Sequence, residues 1–190
     1  AEHHEAATVM FADLSGFTRL AADLGPEKPV ALLDALFSAF DHLAERRGVD
    51  KIKTIGDAYL VVGGAPLACA DHARNILAFA RDMQRELERL AIQSGRDLKL
   101  RIGIESGPLV AGVIGRAKFA YDVWGDTVNV AARLQQAAAP GEILAGKGFS
   151  EALGGGANGA LRHLGARALP GVGELPVWRL EPFGQAIDAA

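Results

Sequence analysis

A chain of 190 residues, 49% hydrophobic and 23% charged, has the size and balance of one soluble globular domain and hardly of two. Its formal net charge of -3, with no block of like charge, gives no footing for a nucleic-acid or membrane partner, and no apolar run is long enough to span a bilayer. The single cysteine, Cys69, excludes an intrachain disulfide framework and suits a reducing, cytoplasmic setting.

Ala1 to Ala7 have neither signal- nor transit-peptide character and begin without Met. They read as a leader or remnant ahead of a domain over 8–190, in a piece excised from a longer protein with a regulatory domain upstream or downstream. Thr8 to Ala12 is a short apolar run that predicts a buried strand, ending in a turn at Asp13–Gly16. Pro26 and Pro29 stand where a helix would begin. Val30, Leu33, Phe37, Phe40 and Ala44 recur at helical spacing, and Gly48 ends the pattern. Val49 to Ile55 and Ala58 to Val62 flank Gly56–Asp57 as a tight hairpin. After a break at Gly63–Pro66, a second helix shows Ala73, Ile76, Leu77, Ala80, Met83, Leu87 and Leu90 on one face.

Leu98 to Ile104 and Leu109 to Ile114 read as two strands parted by a turn at Ser106–Gly107–Pro108. Ala120 to Trp124 is a further short strand, and a helix runs from Asp126, a plausible N-cap, to about Ala138. Gly154 to Gly159 predicts a flexible loop, with last strands at Leu161–Leu169 and Leu175–Leu180. The core order β-α-β-β-α-β predicts an α+β fold of ferredoxin-like type, a sheet with helices on one face and extra C-terminal elements. Many unrelated functions use that fold, so function has to be read from particular residues.

Asp13 follows the first strand and Asp57 tips the central hairpin, and in this fold the two elements are neighbours. Two carboxylates at one end of a sheet suit Mg²⁺ or Mn²⁺, which share their coordination with substrate phosphates. Each aspartate alone is equally the mark of a turn. The small-residue turn Ser15–Gly16–Phe17–Thr18 offers backbone N–H groups to a triphosphate. Asn129 and Arg133 lie four apart on one helix face, able to hold a sugar and a phosphate or merely to solvate that face. Lys53 and Asp122, a donor and an acceptor, match the acceptor N1 and the donor amine of adenine and oppose the polarity of guanine. A surface Lys–Asp ion pair would look the same in sequence.

FADLSGFT at 11–18, KIKTIGDAYL at 51–60, RIGIESGPLVAGVIG at 101–115 and YDVWGDTVNVAARL at 121–134, in this order, resemble the class III adenylate and guanylate cyclases over roughly residues 8 to 180. The likeness is strongest to bacterial homodimeric adenylate cyclases. It implies that Asp13 and Asp57 bind two divalent metal ions, helped by the carbonyl of Leu14. Phe17 and Thr18 would lie along the substrate. Lys53 and Asp122 would select the purine, where guanylate cyclases typically carry Glu and Cys. Asn129 would orient the ribose and Arg133 would stabilise the transition state. The resemblance also implies ATP as substrate and a homodimer with shared sites. One protomer would give Asp13 and Asp57, the other Lys53, Asp122, Asn129 and Arg133. The family often has a triphosphate-binding Lys near the C-terminus; here the matching stretch is Leu169–Pro170–Gly171–Val172–Gly173, and neither Arg162 nor Arg167 matches that motif.

Overall fold

The computed structural model describes residues 1–24, 27–95, 97–113, 120–155 and 159–182. Strand β1 (Glu2–Ser15) lies between β3 (Ala58–Gly63) and β4 (Lys99–Val113), antiparallel to both. With β2 (Asp50–Ile55) outside β3, the order β2-β3-β1-β4 is the expected ferredoxin-like core. The sheet continues through β6 (Ile143–Ala145), β8 (Gly173–Leu180) and β7 (Leu161–Leu169), while β5 (Tyr121–Trp124) pairs with the end of β4. No described helix is long and apolar enough to cross a membrane.

Alternation along β1 sorts the core. Met10, Ala12 and Leu14 pack with α2 (Glu27–Arg47) and α3 (His72–Ser94), whereas Ala7 and Val9 join a cluster on the other face. That second face carries α4 (Asp126–Ala137), through Ala131 and Val128. Helices therefore cover both faces rather than one. The turn expected after Asp13 passes directly into a helix not foreseen, α1 (Phe17–Leu24), whose first bond runs from the Leu20 N–H to the Gly16 carbonyl. The strand predicted from Thr8 starts at Glu2, because residues 2–4 pair with 109–111 of β4.

On α2 the buried stripe is Pro29, Leu36, Phe40 and Ala44, and Val30 is exposed at 66%. Pro29 lies about three full turns before Phe40, and Val30 is rotated roughly 100° off that line. Pro26, the other proposed helix start, falls outside the described residues, as do Ile114 at the end of its predicted strand and residues 156–158 of the glycine loop. The turn predicted at Ser106–Gly107–Pro108 is absent: β4 runs through it unbroken. Pro108 is tolerated there because the β1–β4 register shifts between His4 and Ala7, directly across from it. Its carbonyl accepts a hydrogen bond from Thr127 Oγ1 at 2.7 Å, which ties β4 to the start of α4. Asp126 is the first residue of α4, not its cap; Gly125 holds the cap position.

Strand β6 and the short helix α5 (Lys147–Ala152) carried no sequence signal. Glu105 of β4 anchors them, accepting the N–H groups of Ser106 at 2.8 Å and Phe149 at 2.9 Å. Burial pushes the Glu105 carboxyl up, partly offset by those donors. Two glycines approach closely here: a Cβ on Gly146 would stand 2.0 Å from a Glu105 carboxylate oxygen, and one on Gly148 1.9 Å from the Ser106 carbonyl oxygen.

At the head of α3, buried Thr8 joins His72 Nδ1 at 2.6 Å and Ser106 Oγ at 2.7 Å. Burial lowers the His72 pKa below its ordinary 6.5. The unfolded chain then binds the proton more readily, so stability falls as pH drops below that ordinary value. Between pH 7.5 and 5.5 the wild type is expected to lose more melting temperature than His72→Gln; equal losses would count against this assignment.

Candidate active site

The end of β1 places Asp13 opposite Ala58 of β3 and Arg101 of β4. Gly56, at φ 62, closes the β2–β3 hairpin and brings Asp57 to the same end of the sheet. The two carboxylates interact. Burial raises the Asp57 pKa first, the charge of Asp13 raises it further, and Arg101 partly opposes this. Arg101 donates from Nη2 to Asp13 Oδ2. This arginine was not among the residues expected from sequence. Its position beside Asp13 follows from the β1–β4 register, which the motif alone does not give.

Leu14 follows Asp13 with its side chain in the core, so only its backbone is available to the site. The Phe17 side chain is likewise buried, at 8% exposure. Phe17 and Thr18 stand in the first turn of α1, whose backbone N–H groups have no partner within the helix, and Thr18 is exposed. Among the described residues no group of three or more His, Cys, Asp or Glu side chains gathers. Two carboxylates and a strand-end carbonyl form a sparse, hard-oxygen donor set. That is the chemistry Mg²⁺ and Mn²⁺ accept when phosphates complete the shell.

Lys53 and Asp122 meet although they come from opposite sides of the sheet. The β4–β5 hairpin approaches β2, and Lys53 Nζ donates to Asp122 Oδ2. The other carboxylate oxygen accepts the Val123 N–H at 2.9 Å, which fixes the orientation of Asp122. Asn129 and Arg133 share a face of α4 as expected. Arg133 Nη1 donates to Gln136 Oε1 at 2.8 Å. The β7–β8 turn, where the family's lysine was missed, stands beside this guanidinium: a Cβ on Gly171 would lie 3.7 Å from Arg133 Nη2. Val172 of that turn and Val130 of α4 pack against the same buried cluster around Leu134 and Leu169. Among the described residues no hydrogen bond or ion pair joins the Asp13–Asp57–Arg101 group, the Lys53–Asp122 pair and the α4 pair to one another.

The sequence pattern described as the adenylate and guanylate cyclase catalytic domain matches residues 1–181. The chain belongs to that family. It is a class III nucleotide cyclase domain. An adenylate cyclase of Mycobacterium tuberculosis is 44% identical over 143 residues, 75% of this chain and 32% of the relative. Guanylate cyclase 2G of Mus musculus is 38% identical over 176 residues, 91% of this chain and 16% of the relative. The guanylate cyclase domain of RhGC from Catenaria anguillulae, solved in complex with GTP, has a TM-score of 0.88 and 32% identity, covering 95% of this chain and 98% of that one. This cyclase domain thus spans about a third or less of the length of these curated relatives.

Proposed function

We propose that this cyclase domain converts ATP to 3′,5′-cyclic AMP and pyrophosphate at sites shared between two copies of the chain. The observation that carries the choice of ATP is the Lys53–Asp122 pair. An ammonium donor and a carboxylate acceptor side by side complement the N1 acceptor and the amine donor of adenine. Guanine presents both groups with reversed polarity and would leave buried polar atoms unpaired.

In this reading the 3′-hydroxyl oxygen attacks the α-phosphorus of the same nucleotide. The new P–O bond forms as the bond to pyrophosphate breaks in line, and the hydroxyl proton leaves to solvent or substrate. Asp13, Asp57 and the Leu14 carbonyl would hold two Mg²⁺ or Mn²⁺ ions. When bound, these ions lower the pKa of the attacking hydroxyl and neutralise the triphosphate. The N–H groups of Phe17 and Thr18 would receive phosphate oxygens. Arg101, which pairs with Asp13, would supply positive charge near the triphosphate, in the absence of the C-terminal lysine. Asn129 orients the ribose and Arg133 stabilises charge on the α-phosphoryl oxygens. Each site would be assembled across a two-fold interface, with Asp13 and Asp57 from one protomer and Lys53, Asp122, Asn129 and Arg133 from the other.

Incubation of the chain with ATP or GTP and Mn²⁺ or Mg²⁺, followed by measurement of the cyclic product, tests the proposal. Cyclic AMP is expected in excess over cyclic GMP; absence of both products at high protein concentration would sink it. The double variant Lys53→Glu, Asp122→Cys is expected to turn preference toward GTP. An unchanged preference for ATP would remove the purine-edge argument.

A further inference from the structure

Lys51 and Lys53 are two residues apart on β2, and a regular strand would aim both at one face of the sheet. They are aimed at opposite faces. Lys51 stands opposite Val61 and Lys53 opposite Leu60, so two steps along β2 match one step along β3. This is a β-bulge at Ile52, the device that re-aims a side chain within a ladder. Val61 belongs to the core beneath α2 and α3, and Leu60 to the cluster on the other face. Lys51 accordingly reaches Asp41 of α2 at 2.8 Å, while Lys53 reaches Asp122.

The Lys51 side of the bulge is held by three groups. Asp41 accepts from Lys51 Nζ, and its other oxygen accepts from the Tyr59 hydroxyl at 2.5 Å. The Lys51 ammonium also lies 5.1 Å from the centre of the Tyr59 ring. Tyr59 itself is 1% exposed and sits among Phe37, Phe40 and Phe79, so its hydroxyl is anchored to the core. No residue of β2 is fully buried, so burial alone specifies its register weakly, and a slip of one residue would turn Lys53 to the wrong face. The clamp blocks that slip, because Lys51 would have to leave both partners.

We infer that the Tyr59–Asp41–Lys51 clamp is a determinant of purine specificity, acting by holding the bulge that aims Lys53 at the base. The inference rests on the reading of Lys53 as a base-selecting residue. All three clamp residues are positioning residues; they lie on the α2 face, away from the nucleotide.

The test compares kcat/KM for ATP and GTP, and equilibrium dissociation constants for both nucleotides, across a set of variants of the chain. Tyr59→Phe and Lys51→Met are expected to lower the ATP-over-GTP ratio by about tenfold. Lys51→Arg, which keeps the charge, should retain most of it. Arg47→Met breaks an α2–α3 ion pair of 2.7 Å that involves none of the clamp residues and serves as the stability control. It should lower the melting temperature without altering the ratio. A ratio unchanged in the clamp variants but altered in Lys53→Met overturns the clamp alone. An equal change in Arg47→Met does the same, since any loss of stability would then suffice. A ratio unchanged in Lys53→Met overturns the base-selecting reading, and the clamp's role falls with it.

Discussion

Asp57→Ala and Arg133→Ala are each expected to lower cyclic nucleotide formation by about 10²–10³-fold or more, and an equimolar mixture of the two is expected to recover activity. The two losses have different causes. Without Asp57, the paired carboxylates at the end of β1 and the β2–β3 hairpin are reduced to Asp13 and its Arg101 partner. Without Arg133, the charge beside the β7–β8 turn is gone while the carboxylates stay intact. If each site takes Asp57 from one protomer and Arg133 from the other, a mixed dimer has one site with both residues and one with neither. Random exchange makes half the dimers mixed, so recovery should approach about a quarter of wild-type activity. Specific activity of the wild type should also fall on dilution. A mixture no more active than the sum of its parts would mean that each protomer carries its own complete site.

The sheet core, and the placement of the candidate site residues on it, were legible in sequence for local reasons. Asp13 follows an apolar strand, Asp57 follows a glycine that must take a positive φ, and Asn129 and Arg133 repeat at helical spacing. What was not legible depends on register. Arg101 reaches Asp13 only because the two residues are paired across β1 and β4, a fact with no local signature. Lys51 and Lys53 look equivalent in KIKTIG, and the bulge that parts them is visible only against β3. The misplaced turn at Ser106–Gly107–Pro108 has the same origin. Gly and Pro ordinarily break a strand, but here β1 on one side and α4 on the other supply a reason for each. Of the face expected on α2 only Val30 fails: Phe40 and Ala44 are buried and Leu33 and Phe37 pack against the core, while Val30 lies off the line through Leu36 and Phe40.

Gly103→Ala is expected to be the most damaging conservative change in the sheet, although it adds a single methyl group. A Cβ at that position would stand 2.2 Å from the Ala131 carbonyl oxygen and 2.2 Å from the Gln135 nitrogen. Both are backbone atoms of α4, so no side-chain rotation can make room. Ile102 and Ile104 face α2 and α3, which leaves Gly103 as the point where α4 lies on the sheet. Gly107 makes a second close approach, 2.7 Å from Thr127 Oγ1, but there a side chain can give. Overpacking of this kind costs about 1–3 kcal/mol when the structure adjusts. Here the adjustment is a displacement of α4, and α4 carries Asn129 and Arg133. A shift of about 1 Å at reacting groups can cost around 10²-fold in turnover. The residues assigned to the base and to the metal ions lie on strands and the β2–β3 hairpin, not on α4. The loss should therefore appear mainly in kcat, with KM for ATP changing less, alongside a lower melting temperature. A variant that melts and turns over like the wild type would show that α4 does not rest on Gly103.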